Sequence, residues 1–332
     1  MTIQPRIAGI VVSGLISCWM PASHAAQTTE FSALSKAKKF AEMERAANVR
    51  PAADPDNAEA LAAKVEAMLA EDGNIRVDEA VKLAERCIAA NPRHSGCHES
   101  LGNALGTKAL NSGILSALGY AGKIRDAFRH AVDLDPRNVQ ARFSLLQFYL
   151  TAPSIAGGGA GKAKTFAEET MKTDPEAGKL MLAAIASKEG QLAKAEVEAL
   201  QVNGARSDAL ADRQRDTLWT IGMAYVGQRK FSDGERIFRE VQKRFPGSGL
   251  GTYGLARSLQ EQGRNLEAIP LFEKALAAEP HAFIFYRMGK SLQTSGDKTR
   301  AIAAYEKALS FKPILAEAQR SDAEDQIKTL KR

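Results

Sequence analysis

The sequence predicts an all-α fold, a right-handed α-solenoid of helix-turn-helix pairs, on three observations. One pattern of residues occurs three times between Leu218 and Pro313, at spacings of 34 and then 33 residues. Each unit carries apolar residues at helical i, i+3, i+4 spacing twice, with a break between the two runs. Aromatic residues make up only 6% of the 332 residues and alanine is abundant, which suits close-packed helices better than a sheet sandwich. Self-similarity at this period indicates a helical-repeat array.

The three units align in columns that also predict how the two helices of a unit meet. A small residue in the first helix is followed by small and aromatic residues in the second, and a proline closes each unit. Small residues at a helix crossing let the backbones approach closely, so a large side chain there would overpack the crossing. The columns are Gly222, Ala256 and Gly289; Tyr225, Leu259 and Leu292; Gly234, Ala268 and Ala301; Phe238, Phe272 and Tyr305; Val241, Ala275 and Ala308; and Pro246, Pro280 and Pro313.

This pattern resembles that of the tetratricopeptide (TPR) family. It is carried by the first-helix segments TIGMAY, YGLARSL and YRMGKSL and by the second-helix segments EAIPLFEKALAAEP and RAIAAYEKALSFKP. The sequence departs from the family at the first-helix tryptophan, where Leu218, Thr252 and Phe285 stand instead. The resemblance implies a curved stack of helix pairs whose first helices line a concave, partner-binding face.

The N-terminus predicts export. Arg6 is followed by an uncharged, mostly apolar run, Ile7–Met20, which is too short to span a membrane and has the length of a signal-peptide core. Small residues at Ser23 and Ala25 predict cleavage after Ala25, giving a periplasmic protein with no stable membrane span. Two alternatives stay open: a lipoprotein lipidated at Cys18, because Leu-Ile-Ser-Cys resembles a lipobox, and an uncleaved anchor.

The patterns divide the chain into five segments. We expect a signal peptide at 1–25, an N-terminal helix and linker at 26–57, irregular TPR-like repeats with insertions at 58–212, three regular repeats at 213–313 and a C-terminal capping helix at 314–332. Spacing of the closing prolines indicates an array of about seven pairs. A charged end helix of the predicted kind keeps such an array soluble.

The irregular half departs from the period at several places. The first pair occupies residues 58–92, with its turn at 72–74. The second pair has ten extra residues within 107–123, which indicates lengthened helices or an inserted turn. Because this stretch is apolar, it must be buried or form a contact patch. Residues 203–212 are expected to form a looser joint between the two halves.

The loop at Thr151–Gly161 is the most unusual local feature. Its GGGAGK segment departs from a phosphate-binding loop at Ala156 and Ala163. Two interpretations stay open: free amides of Gly157, Gly158 and Gly159 before a helix could hold an anion, or the glycines serve a packed turn with positive φ. Together with the lengthened second pair, the loop resembles a group of exported bacterial TPR proteins of unassigned function.

Two cysteines, Cys87 and Cys97, remain after signal cleavage, on either side of an Asn-Pro turn. An oxidising compartment favours a disulfide between them, and two small buried thiols are the alternative. With His94 and His98 they also form a Cys-x6-His-x2-Cys-His set. This spacing is not that of a known zinc finger, so no metal is predicted.

Nothing in the sequence predicts a chemical site. HExxH, GxSxG and CxxC motifs are missing, which favours a non-catalytic protein without a cofactor. The net charge is +6, but Lys and Arg are dispersed and no nucleic-acid recognition motif accompanies them. We therefore interpret the charge as a solvated surface and predict no nucleic-acid partner.

The predicted binding surface lies in the regular half. Trp219, Tyr253 and Tyr286 recur at the repeat spacing, and Arg257 and Lys290 come one turn after the tyrosines on the same side. Such a ladder suits an extended peptide or a carboxylate-bearing tail, unless the aromatic residues only pack. Phe143 is a candidate to continue the row in the third pair.

These observations predict an exported, non-catalytic scaffold that binds a protein or peptide partner in the bacterial periplasm. The alternative is a periplasmic protein that binds a small ligand or anion through the loop at residues 153–161.

Overall fold

The computed structural model describes residues 24–49, 54–312 and 315–332, and within them the chain forms sixteen α-helices and no strand. The predicted signal core and Cys18 lie outside the described residues. The helices are α1 (His24–Lys36), α2 (Phe40–Val49), α3 (Ala58–Ala90), α4 (Ser95–Leu110), α5 (Ile114–Leu134), α6 (Val139–Thr151), α7 (Ala160–Thr173), α8 (Pro175–Lys188), α9 (Leu192–Leu200), α10 (Asp208–Gly227), α11 (Phe231–Arg244), α12 (Leu250–Glu261), α13 (Asn265–Ala278), α14 (Ala282–Thr294), α15 (Lys298–Ser310) and α16 (Glu317–Leu330). In the parts of the chain so described, no helix combines the length and apolar character needed to cross a bilayer.

α3 folds back on itself and provides both helices of the first pair. Sγ of Cys87 lies 3.6 Å from the carbonyl oxygen of Ala58, whereas a straight helix would separate these residues by about 44 Å. The guanidinium of Arg86 likewise reaches the carboxylate of Asp56 at 2.9 Å. The midpoint of these contacts falls near residue 72, where the sequence predicts the turn.

Seven helix pairs therefore follow one another along the chain. The two arms of α3 form the first, and α4/α5, α6/α7, α8/α9, α10/α11, α12/α13 and α14/α15 form the other six. At the N-terminal end, Phe31, Phe40 and Met43 pack on the first arm of α3. At the C-terminal end, α16 buries Ala323 against the last pair. The described residues thus form an all-α helical-repeat solenoid, as the sequence predicts.

Glycines in the first helices set the spacing between helices. A Cβ atom at Gly222 would lie 2.5 Å from the ring of Phe238, and one at Gly254 would lie 2.2 Å from the same ring. In the last pair, a Cβ atom at Gly289 would lie 2.9 Å from the ring of Tyr305. Both aromatic side chains are fully buried. The aligned small and aromatic columns are therefore complementary halves of the same contact.

The second pair is longer than a regular one because its helices are longer. α4 has 16 residues and α5 has 21, with only residues 111–113 between them. Of the two predicted alternatives, the structure therefore has lengthened helices and not an inserted turn.

The predicted joint at residues 203–212 is anchored. Gln214 of α10 is only 3% exposed, and its Nε2 donates to the carbonyl oxygens of Ala199 at 2.9 Å and Val202 at 2.7 Å. Gly204 is buried against the same side chain. One buried amide thus closes the preceding helix end, and the looser joint stays a prediction.

Two contacts join parts of the array that are distant in sequence. Nζ of Lys36, at the end of α1, lies 2.5 Å from the carboxylate of Asp208 at the start of α10. Nζ of Lys312, after the last pair, lies 3.3 Å from the carbonyl oxygen of Glu71 in the first pair. The curvature of the solenoid therefore brings its beginning and its end together.

Candidate partner-binding groove

The predicted aromatic ladder is part of the packing between first helices. Tyr253 is 5% exposed and Tyr286 is 6% exposed. The ring of Tyr253 lies 5.0 Å from that of Phe283 and 6.2 Å from that of Trp219, which it stacks on. The structure thus brings the residues of the ladder together, but it turns them toward neighbouring helices. Of the two interpretations that the sequence leaves open, the structure therefore favours aromatic residues that pack between helices.

The cations beside the ladder are engaged within the chain. Arg257 is 7% exposed and forms an ion pair with Glu261 at 2.7 Å. Nζ of Lys290 lies 3.4 Å from the carboxylate of Asp322 on α16, and the hydroxyl of Tyr286 donates to the same carboxylate at 2.6 Å.

The face therefore binds a carboxylate, as its chemistry suggests, but that carboxylate belongs to the chain's own end helix. Burial and the hydrogen bond to Asp322 raise the pKa of Tyr286 to about 12. Burial alone would raise the pKa of Asp322, yet the hydrogen bond from Tyr286 and the charge of Lys290 hold it below its usual value. A partner carboxylate would have to compete with Asp322 for Tyr286 and Lys290.

The glycine-rich loop is a packed turn. Gly157 and Gly159 have φ angles of +92° and +126°, which glycine adopts without strain. A Cβ atom at Gly158 would lie 1.9 Å from the carbonyl oxygen of Ala152. The amides of Gly157, Gly158 and Gly159 donate, in order, to the carbonyl oxygens of Ser154, Pro153 and Tyr149 at 3.0, 3.1 and 2.8 Å. Because these amides are already satisfied, the structure favours the packed turn, the second of the two interpretations that the sequence leaves open.

Cys87 and Cys97 form a disulfide that joins the second arm of α3 to α4. Their Cα atoms are 5.4 Å apart, and neither side chain is exposed. With both sulfurs bonded to each other, the Cys-His set cannot ligate zinc in this state. Nε2 of His94 lies 3.0 Å from the carboxylate of Glu59, and Nε2 of His98 lies 2.9 Å from the carbonyl oxygen of Pro92.

A large concavity lies in the irregular half, between the lengthened pair and α10. It has a volume of about 1030 Å³ and is walled by α4, α5, α6, α8, α10 and the start of the loop after α6. Its floor is apolar and buried, and it includes Ile124, Phe128, Phe143 and Leu146. We call this concavity the α4–α10 groove.

The wall from α4 and α5 is apolar, and it is open to water. Leu110 is 87% exposed and Leu118 is 38% exposed, although both line the groove. A Cβ atom at Gly106 would meet nothing within 4 Å. The apolar stretch 107–123 is therefore a surface patch along part of its length, one of the two outcomes that its sequence predicts.

Charge in the groove is confined to the α8 and α10 end. The guanidinium of Arg213 lies 5.4 Å from the centre of the Phe143 ring and donates to Gln140, and burial lowers its pKa. Asp216 is neutralised by Arg215 at 2.8 Å. Lys188 is exposed and forms no ion pair with any residue that the structure describes.

Two parts of this groove carry a signal in the sequence, but nothing in the sequence shows that they lie together. Phe143 was a candidate for the aromatic row, and the stretch 107–123 was a candidate contact patch. The residues that complete the groove, Lys188 and Arg213, carry no signal of their own, because single cations on helices are usually solvated.

Comparison with known proteins identifies the repeats. Models of the tetratricopeptide repeat match residues 220–285 and 284–314. The structure is similar to yeast Tom70, with a TM-score of 0.65 and 12% identity over 95% of this chain and 66% of that chain. It is also similar to a human IFIT1 dimer with PPP-AAAA, with a TM-score of 0.50 and 18% identity over 82% and 63% of the two chains.

A tetratricopeptide repeat protein from Parabacteroides merdae is a further match, with a TM-score of 0.47 and 13% identity over 93% and 98% of the two chains. No curated protein sequence matches the chain. At these identities the solved structures show the fold alone.

Proposed function

We propose that this helical-repeat solenoid, of which residues 220–314 match the tetratricopeptide repeat, is an exported, non-catalytic scaffold that binds a protein partner in the bacterial periplasm. TPR repeats indicate protein partners in general. The proposal that this chain binds a protein partner depends on one observation. The α4–α10 groove is open, and Leu110 and Leu118 are exposed in its wall. Exposed apolar surface rimmed by polar residues is typical of a protein interaction site.

Two features support export. The run Ile7–Met20 after Arg6, with small residues before the predicted cut at Ala25, has the layout of a signal peptide. The Cys87–Cys97 disulfide is an independent argument, since such bonds persist in oxidising compartments and are rare in the cytosol.

The chemistry of the groove supports a binding role. The hydroxyls of Thr107, Thr151 and Thr220 donate to carbonyl oxygens of their own helices. The other lining hydroxyls, those of Ser144, Ser187 and Thr217, are not hydrogen-bonded to a base among the residues that the structure describes. Arg213 and Asp216 are engaged with neighbouring side chains. A nucleophile activated by a hydrogen-bonded base is the arrangement that covalent catalysis requires. The anion-binding alternative is not proposed further, because the amides at 157–159 are satisfied.

The test is affinity capture of the full chain, tagged at its C-terminus, from a periplasmic extract, with mass spectrometry of the mature N-terminus. We expect a chain that begins at Ala26 in the periplasmic fraction and retains a reproducible protein partner over a tag-only control. An intact N-terminus in the cytoplasm would contradict export, and lipid on Cys18 would select the lipoprotein alternative. A chain that retains no protein above the control would contradict the scaffold.

A further inference from the structure

The α4–α10 groove restricts the shape of what it can hold. Its floor is apolar and buried, while Leu110, Leu118 and Lys188 on its walls are in contact with water. An occupant must therefore present an apolar side to the floor and a polar side to solvent. An acyl chain is apolar on all sides and would leave one side exposed in so open a groove. An amphipathic polypeptide satisfies both requirements.

The lining also distinguishes a helix from an extended peptide. An extended peptide needs hydrogen-bond partners for its backbone, because each unpaired buried amide or carbonyl is costly. The hydroxyls of Thr107, Thr151 and Thr220 already donate within their own helices. The remaining uncharged polar side chains of the lining are too few to pair every amide and carbonyl of an extended chain; they belong to Asn103, Ser144, Gln147, Ser187 and Thr217. A helix satisfies its own backbone and presents side chains only.

The groove has the length of an ordinary helix. It crosses the four first helices α4, α6, α8 and α10, and packed helices lie about 8–10 Å apart, so the row is roughly 25–30 Å long. A helix of about 18 residues has that length. The open space at Gly106 would admit a large apolar side chain from it.

The charge distribution gives this helix a direction. Every lining residue from α4 and α5 is uncharged, whereas the α8 and α10 end holds Lys188 and Arg213. The one lining carboxylate, Asp216, is paired with Arg215 outside the groove. An acidic side chain and the negative end of a helix dipole are both favoured beside Lys188, which has no ion-pair partner within the described part of the chain.

We infer that the α4–α10 groove binds an amphipathic α-helix of a partner protein, with its apolar face on the groove floor and an acidic C-terminal turn beside Lys188. This inference rests on the proposed scaffold function and names the chemistry of the partner. It places recognition in the irregular half of the array, away from the filled face at Tyr253 and Tyr286.

The test uses the mature chain and three fluorescein-labelled synthetic peptides of 18 residues. The first has Leu and Ala at i, i+3, i+4 and i+7 and two Glu in its last turn; the second has Lys in place of those Glu; the third is a scramble of the first without an apolar face. Fluorescence anisotropy should show that the first binds on the order of tenfold more tightly than the second, and that the scramble binds weakest. Equal binding of the first peptide and the scramble would overturn the inference.

Two substitutions locate the binding. Gly106→Trp fills the open wall of the groove and should weaken the first peptide by at least about tenfold. Gly119→Trp is the matched control, because Gly119 is an exposed α5 residue with nothing within 4 Å that does not line the groove. Lys188→Glu should reverse the order of the Glu and Lys peptides. Thermal denaturation establishes that each variant is folded before its affinity is compared.

An unchanged peptide order in Lys188→Glu, or equal loss in both tryptophan variants, would contradict the groove. Displacement of the first peptide by myristate at lower concentration than by unlabelled peptide would identify a lipid site instead.

Repeating the periplasmic capture with Gly106→Trp separates the two proposals. If this variant keeps the partner, the groove is excluded and the scaffold stands; if the wild-type chain retains nothing, the scaffold itself fails.

Discussion

Replacing Glu279 by glutamine is expected to destabilise the regular half of the array in a pH-dependent way. Glu279 follows α13, and its carboxylate joins two neighbouring segments. It accepts a hydrogen bond from the hydroxyl of Ser248 at 3.0 Å and from the amide of Gly249 at 3.3 Å, both at the start of α12. It also lies 3.0 Å from Nε2 of His281, at the start of α14. Glutamine keeps the shape of the side chain and removes its charge.

The magnitude follows from the pKa of Glu279. The hydrogen bond with His281, followed by the charge of that ring and the hydrogen bond from Ser248, lowers this pKa from 4.5 to about 2, against the opposing effect of burial. The difference corresponds to a ceiling of about 3.4 kcal/mol. The side chain is 23% exposed, and part of the shift requires a protonated His281. Screening and this dependence reduce the expected loss to about 1–2 kcal/mol at neutral pH.

The sign of the pH dependence is fixed by the direction of this pKa. A carboxylate whose pKa is depressed by folding stabilises the native state fully above its unfolded value of 4.5. The contribution then decreases as the pH falls toward 2 and drops to less than about half of its neutral value at pH 3. The difference between wild type and Glu279→Gln should therefore shrink on acidification.

Urea denaturation at pH 7, 5 and 3, followed by circular dichroism, measures this difference. Glu273→Gln is the matched control, because Glu273 lies on α13 and makes an exposed ion pair with Arg300. We expect the control to lose less than about 1 kcal/mol at any pH. A loss in Glu279→Gln that is the same at pH 3 as at pH 7, or no larger than that of the control, would refute the reasoning.

Three further substitutions probe the packing of the array. Replacing Cys87 and Cys97 together by alanine should cost about 2–3 kcal/mol, since the bond closes a short loop; a melting temperature equal to that of the oxidised wild type would contradict this. Gly254→Ala should destabilise by about 1–3 kcal/mol in urea, because its Cβ would lie 2.2 Å from the Phe238 ring; a stabilised variant would show that the ring can move. Gln214→Leu leaves two buried carbonyl oxygens unpaired and should cost about 1–3 kcal/mol; faster hydrogen exchange confined to residues 199–214 would locate the loss.

The regular half could be predicted because its repeats carry their own alignment. A glycine such as Gly222 and an aromatic residue such as Phe238 recur at a constant interval, and their contact in the structure is the one that the columns imply. The turn in α3 was predictable for a similar reason, since a Gly-Asn segment interrupts the apolar periodicity. In both cases the residues that carry the signal are close to one another in the sequence.

The exposure of the ladder could not be predicted in the same way. Tyr253 and Tyr286 stand where a first-helix side chain can face either the concave surface or the next first helix, and spacing alone does not distinguish the two directions. The role of Asp322 depends on how α16 docks, which involves residues over thirty positions away. The α4–α10 groove is harder still to predict. Its walls come from helices that span residues 95–227 and meet only through the curvature of the array.

The two contacts that join distant parts of this curved array bear on its elasticity. In a solenoid most of the stability comes from neighbouring pairs, so the pitch of the coil is governed by small rotations between them. The ion pair between Lys36 and Asp208 is exposed, with side-chain exposures of 41% and 86%, and such pairs contribute at most about 1 kcal/mol. The contact from Lys312 to Glu71 is exposed as well. We therefore expect that a docked helix can break both contacts, so that the pitch of the coil is free to change within the limits set by the packing of neighbouring pairs.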